Sequence, residues 1–436
     1  MNTKYFRYIF LIVLLTLLNN NPDSIGGTSL PDPKFTPDNA RIKNEYSDGE
    51  GFTYINRSFR RFMRYWDIRG ASVAVVKDNR LVFARAYGMA DRENKIKAEP
   101  YHKFRIASIS KLVTATAIMK LNDEEKINLN DRVFGPGGIL QDPYFDDPLD
   151  KRAYDITVAH LLAHKGGWRH RYGDHMFMPQ VVADFLDKEL PVSTSDIVRF
   201  ALDKRLHFTP GTGRSYSNLG YAILGLVIEE VSGMDYDNYC HKNIFEPLGI
   251  YDFELAHNLY YDRDPYEVRY YEPSNAIRKE SVYGTGNMLP APYGGNDVRA
   301  LGGAGAWITT AADLLKFVRA VDGINGDDIL APSSVRFMTD RSNGFAPVGW
   351  KATTSNGYWW RTGSFAGTSA MIKRMPDGTL WAVLLNTSTW KSSMFTTDIN
   401  RLMSGIIWNT GKWPEKNLFD YLLPVPLDPV SYTAEY

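Results

Sequence analysis

The chain has almost no cysteine and no charge bias. Cys240 is the single cysteine among 436 residues, which excludes an internal disulfide framework and a cysteine-rich zinc or iron–sulfur site. Lys and Arg total 50, as do Asp and Glu, giving a formal net charge of zero. A bulk basic face for nucleic acid is therefore not expected, and charge can act only through local patches. Long internal repeats and low-complexity tracts are missing. So are a Gly-x-Ser-x-Gly elbow, a P-loop and a dinucleotide fingerprint, which removes the α/β-hydrolase triad and the common nucleotide sites. No cofactor is expected.

What the chain does have is a 44% hydrophobic composition with 13% aromatics, enough for a large core and a buried cleft. Met1–Leu18 places Lys4 and Arg7 before an apolar run from Tyr8 to Leu18. That is the pattern of a secretory signal, too short for a comfortable span of roughly 20 residues. No small-x-small cleavage site follows, so an uncleaved N-terminal anchor, with membrane association through it, is the alternative. No cysteine follows either, which excludes a lipoprotein attachment. The chain is expected to be exported to a periplasmic or extracellular space. Residues 19–51 read as a linker, 52–412 as the folded domain, and 413–436, with four prolines, as an extended tail.

Within the folded domain, Ala71–Val76 and Leu81–Tyr87 flank a short polar turn and predict a β-hairpin. A second hairpin is predicted from Thr368–Arg374 and Thr379–Asn386, joined by Met375-Pro376-Asp377-Gly378. Helical signals lie between them: Lys111–Leu121, Asn218–Val231 closed by Gly233, and Thr309–Val321 with Thr309 or Thr310 as N-cap. Strands at both ends with helices between predict an α+β fold. Its antiparallel sheet is built from N- and C-terminal segments and flanked by helices, with a mainly helical insertion over about residues 122–300. Tyr251–Ala300, rich in Tyr, Asn, Pro and Gly, reads as irregular and as one wall of a cleft.

Three short motifs carry chemistry. Ser108 and Lys111 are three apart at the start of a helix, so their side chains share a face. A serine hydroxyl needs an adjacent base to become a nucleophile, and a lysine serves when its pKa is depressed. The alternative is an N-capping serine with a surface lysine, and Ser388–Lys391 repeats the spacing. Tyr216 and Asn218 are two apart before a helix and can face one cleft, the phenol to pass protons and the amide to orient a lysine. A buried tyrosine and a capping asparagine are the plain alternative. Arg361, Thr362, Gly363 and Ser364 put a cation, small hydroxyls and a glycine on an edge strand, where backbone amides can approach an oxyanion; a surface arginine is the alternative.

Order and flanks turn these triplets into a pattern that resembles the serine β-lactamase and penicillin-binding-protein family, in its class C-like, D-aminopeptidase and family VIII esterase branches. The resemblance runs from about Ile68 to Ile407 and includes Ile68–Val76, Phe104–Leu121, Ile156–His164, Phe208–Gly233, Ile244–Gly249 and Gly302–Phe317. It implies the β-lactamase/transpeptidase-like fold. It also implies Ser108 as nucleophile, Lys111 as its activating base, Tyr216 as proton-transfer residue and Asn218 as orienting partner. The backbone N–H groups of Ser108 and Ser364 would form the oxyanion hole. The third motif departs from the family's Lys-Thr-Gly or His-x-Gly. Arg361 keeps the charge but cannot give up a proton, which speaks against penicillinase-like efficiency and leaves acyl transfer intact.

The implied function is an exported serine hydrolase acting on a small-molecule or peptide amide or ester, a D-Ala peptidase or esterase rather than an efficient β-lactamase. A sensor that binds cell-wall peptides or β-lactams and deacylates slowly is the alternative. His160, His164, His170 and His175 cluster in sequence, but His160-Leu161-Leu162-Ala163-His164 lacks the glutamate of a zinc-protease motif, and no metal is expected. Trp168, Trp307, Trp359 and Trp360 are candidates for an apolar substrate wall or for the core. Cys240 is expected to be a packing residue.

Overall fold

The structure, a computed structural model, describes residues 41–324, 328–389 and 394–421. The predicted signal segment 1–18 and the end of the tail, 422–436, lie outside the described residues. Among the described residues no helix is long and apolar enough to cross a membrane.

Helix α1 (Thr53–Trp66) carries Ile55, Phe59, Phe62, Met63 and Trp66 on one buried face. The spacing marks an amphipathic helix lying on a sheet, although the sequence reading begins regular structure only at Ala71. Strands β1 (Gly70–Lys77) and β2 (Arg80–Asp91) follow, then a two-residue β3 (Ile96–Lys97). Asp78 and Asn79 both take positive φ, 49° and 61°, the signature of a two-residue type I′ hairpin turn. Helix α2 (Ser110–Asp123), helix α3 (Asn218–Ser232) and helix α4 (Ala311–Arg319) come next. They are followed by β4 (Ala352–Thr353), β5 (Trp359–Phe365), β6 (Thr368–Arg374), β7 (Leu380–Leu385) and helix α5 (Phe395–Asn409). Thr310 caps α4, accepting from the Asp313 N–H, and Gly233 ends α3 in the left-handed conformation.

The strands form one antiparallel sheet in the order β3-β2-β1-β7-β6-β5-β4. Its centre joins the two ends of the chain, with Val73 opposite Val383. One face packs Ala71, Val73, Val75, Val383 and Leu385 against α1 and α5; α4 also packs on β1 and β7. Burial on both sides explains why β1, apart from Ser72, reads as an apolar run from Ala71 to Val76. Residues 41–51, read as the end of a linker, pack on β2: Ser47 Oγ accepts from the Ala84 N–H at 3.1 Å, and Ile42 and Tyr46 are buried.

Cys240 is fully buried. Tyr251–Ala300 is irregular as expected, with three two-residue strands, but none of its residues lines the cleft at Ser108. It braces the segment before Ser108 from behind. Arg105 donates to the carbonyls of Pro292 and His257, both at 2.9 Å, and its N–H bonds Tyr270 Oη at 2.8 Å. Phe59 is fully buried and stacks on Tyr87 with ring centroids 5.2 Å apart. Phe59→Ala is expected to lower stability by about 3–5 kcal/mol, read from urea unfolding.

Candidate active site

The peptide around Ser108 is shaped by three constraints. Phe104–Arg105 pairs with Trp307–Thr309 as a short strand. Ala107 then takes φ 46°, a left-handed conformation costing roughly 1–3 kcal/mol in a residue with a Cβ. A 3₁₀ turn, Ala107–Ile109, leads directly into α2. This sharp entry projects Ser108 from the turn instead of burying it in the helix. Its Oγ makes no cap; it lies 2.6 Å from Tyr216 Oη. Strand β5 holds the turn from the other side. Arg361 Nε donates to the Ser108 carbonyl at 2.8 Å. A Cβ at Gly363 would sit 2.1 Å from the Ile106 carbonyl oxygen, so only glycine lets the strand approach this closely.

Helix α2 is buried over most of its surface, which takes Lys111 wholly out of solvent. Its ammonium must then find acceptors inside the protein. It donates to Asn218 Oδ1 at 2.6 Å, to the Ala304 carbonyl, and more distantly to Ser108 Oγ at 3.4 Å. Burial lowers the Lys111 pKa, Tyr216 opposes that shift, and the Arg361 guanidinium adds to it. Tyr216 is 38% exposed: its ring borders the cleft, while Lys111 Nζ lies 4.9 Å from the ring centroid. Burial alone would raise the phenol pKa, but Lys111 and Arg361 outweigh it and bring it down to about 8.

Ser217 separates Tyr216 from Asn218 and caps α3, its Oγ accepting from the Gly220 N–H. The two flanking side chains therefore reach Ser108 and Lys111 respectively. Thr362 Oγ1 accepts from Lys351 Nζ at 3.1 Å. Strand β4 pairs with β5 only at Trp359 and Trp360, and the Trp360 carbonyl accepts from the Lys351 N–H. Backbone groups alternate along a strand, so those of Thr362 and Ser364 point to the same edge, which has no strand beside it. All eight predicted site residues thus come together, and the repeated motif does not join them. Ser388 Oγ accepts from the Gly367 N–H, and Lys391 lies outside the described residues.

Several residues at or behind the site are not marked by the sequence. Asp174, its side chain 8% exposed, accepts from Asn218 Nδ2 at 2.6 Å. That bond fixes the amide so that Oδ1 faces Lys111. His164, considered only as half of a metal pair, packs behind Tyr216 with ring centroids 4.8 Å apart, and Nδ1 accepts from the Ser217 N–H. Burial, Arg361 and Lys111 push its pKa well below the usual imidazole value, so it is neutral. His160 serves a capping box with Thr157. The cleft, of about 820 Å³, is lined by Ser108, Tyr216 and β5 residues, and also by Phe177, Arg214, Arg341, Trp350 and Lys351. None of Trp168, Trp307, Trp359 or Trp360 lines it: Trp307 is fully buried against Phe245 and Phe253, and Trp350 is the cleft tryptophan. No local sequence signal distinguishes Asp174, because its partner Asn218 is 44 residues away.

Asp174 also favours the Lys111 ammonium electrostatically. Asp174→Asn is expected to cut turnover about ten-fold, the loss of a fraction of what a positioned proton acceptor contributes. Because the Lys111 pKa falls further, the ascending limb of kcat/KM should also move to lower pH. A lowered rate with an unmoved limb would mean that Asp174 supports packing only.

The family model described as Beta-lactamase matches residues 55–402. Protein flp of Staphylococcus aureus (strain COL) is 31% identical over 185 residues, 42% of this chain and 34% of flp. A putative D-alanyl-D-alanine carboxypeptidase of Escherichia coli (strain K12) is 28% identical over 191 residues, 41% of each chain. The chain therefore aligns with well under two thirds of the length of either relative. Among solved structures, a penicillin-binding protein homologue from Pyrococcus abyssi superimposes with TM-score 0.60 and 24% identity over 81% of this chain and 77% of that one. The D-amino acid amidase of Ochrobactrum anthropi SV3, in its complex with L-phenylalanine amide, gives 0.61 and 20% over 81% and 99%. At these identities the structures establish the shared antiparallel α+β fold. With the family match spanning most of the sequence and the geometry above lying inside it, the chain belongs to the Beta-lactamase family of serine hydrolases.

Proposed function

We propose that the protein is an exported acyl-transfer hydrolase of amide or ester bonds, with peptides ending in D-amino acids as the favoured substrates. Residues 1–18 are its export segment. The observation that carries this reading is the 2.6 Å contact between Ser108 Oγ and a Tyr216 hydroxyl whose pKa is brought down to about 8.

At neutral to mildly basic pH a useful fraction of Tyr216 is phenolate, held by Lys111 and Arg361. The phenolate takes the Ser108 proton as Oγ bonds to the substrate carbonyl carbon. Lys111, farther from Oγ, keeps the phenolate's charge favourable. The oxyanion is met by the N–H groups of Ser108 and Ser364. Tyr216 then returns the proton to the leaving amine or alcohol as the carbonyl–heteroatom bond breaks. Water attacks the acyl-serine as Tyr216 takes its proton, and Tyr216 then returns that proton to Ser108 Oγ as the acyl–oxygen bond breaks and the acid leaves. The amine side of this cycle suits a D-alanyl or D-amino acid amide, the chemistry named for the Escherichia coli and Ochrobactrum relatives. Arg361 Nη2 is buried without a hydrogen-bond partner, and it offers a donor to a substrate carboxylate.

A fluorophosphonate or β-lactam probe is expected to label wild-type protein and not Ser108→Ala; labelling that survives the substitution would remove Ser108 from the reaction. Steady turnover of p-nitrophenyl esters or D-Ala-D-Ala peptides is expected, whereas a single burst would assign the protein to slow-deacylating sensors. In the pH profile, kcat/KM should rise through about pH 8 as the Lys111–Tyr216 pair loses its proton. Arg361 depresses both members of the pair. In Arg361→Gln both pKa values therefore rise and the limb moves to higher pH, opposite to Asp174→Asn.

A further inference from the structure

Among the described residues the cleft is lined by Arg214, Arg341, Lys351 and Arg361 and by no aspartate or glutamate, although the chain as a whole carries equal numbers of acids and bases. Some partly buried cations elsewhere have carboxylate partners, Arg41 with Asp252, Lys103 with Asp264 and Arg263 with Asp91, while others, such as Lys316 and Lys373, hydrogen-bond a carbonyl or an amide instead. The cleft gathers in one place four cations that have no carboxylate partner among the described residues. Arg214 spends its guanidinium on the Ala346 and Pro347 carbonyls at 3.3 and 3.0 Å. Burial and the like charge of Arg341 both lower its pKa, so the two guanidinium groups repel each other without an anion between them. Arg341 is exposed, and neither it nor Lys351 has a carboxylate partner among the described residues. Trp350 borders the same space. It is 2% exposed, and its indole N–H has no hydrogen-bond partner.

A concentration of cations without counter-ions on one cleft is a site short of an anion. Arg361 belongs to the reacting centre, since it holds the Ser108 carbonyl. Arg341, Lys351 and Trp350 come from the segment preceding β5 and line the cleft beside that strand, with Lys351 Nζ 3.1 Å from Thr362 Oγ1. We propose that this part of the cleft is a second anion subsite, so that the preferred substrate carries a carboxylate remote from the scissile carbonyl in addition to any group met by Arg361. The proposal deepens the acyl-transfer reading and rests on it for the word substrate. The subsite itself rests only on Arg214, Arg341 and Lys351. The chemical class is an anionic acyl donor, such as a peptide bearing a free side-chain or terminal carboxylate near the cleaved bond. Lys351 supplies the mobile charge and Arg341 the planar fork suited to a carboxylate.

The test compares p-nitrophenyl hydrogen suberate with its methyl-capped ester on the same protein, so that any loss of folded enzyme cancels in the ratio. Wild type is expected to favour the free acid about ten-fold in kcat/KM, as one charge-assisted contact provides, and the preference should shrink as ionic strength rises. The Arg341→Gln, Lys351→Gln double variant should lose it. Lys351→Glu should turn the preference toward an ester ending in a quaternary ammonium. A wild-type ratio near one, or a ratio that survives the double variant, overturns the subsite. Calorimetry of suberate and its monomethyl ester with Ser108→Ala protein reads the same subsite without turnover. If Ser108→Ala hydrolyses the esters like wild type, the acyl-transfer reading fails. The subsite then stands or falls on whether suberate binds more tightly than its ester and loses that advantage with Arg341 and Lys351.

Discussion

A lysine ammonium enclosed by protein on every side sets the terms for this active centre. Burying an unpartnered charge of this kind costs several kcal/mol even after relaxation. Lys111 therefore needs the Asn218 amide and the Ala304 carbonyl within hydrogen-bond reach. Those acceptors come from α3 and from the turn Gly302–Ala304. Helix α2 can be apolar on nearly all sides only if these elements close over it. Gly303 makes the closure possible: a Cβ there would meet the Thr114 hydroxyl and the Tyr221 carbonyl, both at 2.9 Å. The same enclosure depresses the lysine pKa and lets its charge act on Tyr216 undiluted by water. Packing of three segments and activation of one phenol are thus a single physical arrangement.

The sheet brings in the remaining partner. Residue 361 is far from residue 108 in sequence, and they meet because the C-terminal strands complete a sheet begun at the N-terminus, with β1 against β7 and β5 two strands beyond. Register then matters more than residue type. Arg361 and Gly363 fall on alternate positions of β5, so one reaches the Ser108 carbonyl while the other leaves room for the Ile106 carbonyl. Thr362 and Ser364, the intervening positions, turn their backbone groups to the open edge. A one-residue slip of β5 would exchange these roles.

The local part of this design was legible in the sequence. Both hairpins announced themselves through turn chemistry at Asp78-Asn79 and Pro376-Asp377-Gly378 and through strand alternation. Helix α2 did so through a continuous apolar-rich run, α3 through amphipathic spacing closed by Gly233, and α4 through a capping threonine. The three motifs were individually weak, and their order with their flanks assembled all eight site residues. Helices α1 and α5 were missed because each covers the sheet with a few widely spaced apolar residues among many polar ones, as in Phe395, Ile399, Met403 and Ile406. Asp174 was illegible for a different reason: its partner Asn218 is 44 residues away, and nothing near Asp174 marks it as other than a turn acid. The tryptophans were open between a substrate wall and the core, and Trp168 and Trp307 take the second place because proximity to a motif in sequence is not proximity in space. Trp307 sits beside the reacting segment through strand pairing yet faces the core.

Zero net charge conceals a local imbalance that the chemistry requires. Tyr216 reaches a pKa of about 8 only because two cations outweigh the cost of its burial. A carboxylate among the cleft residues would cancel part of that field and return the phenol toward its ordinary range, so the absence of acids among the described cleft residues protects the base. A substrate anion bound on Arg361 raises the same difficulty, since it neutralises the cation that depresses Tyr216 and Lys111 together. Charge on the wall of Arg341, Lys351 and Arg214 offers a way out. An anion held there is attracted into the cleft while the cations next to the phenol remain uncompensated. Asp174 obeys the same logic from the other side. It is shielded behind Asn218 and spends its lone pairs on that amide and on the Met176 N–H, so it orients the lysine's acceptor while standing apart from the phenol it would otherwise weaken.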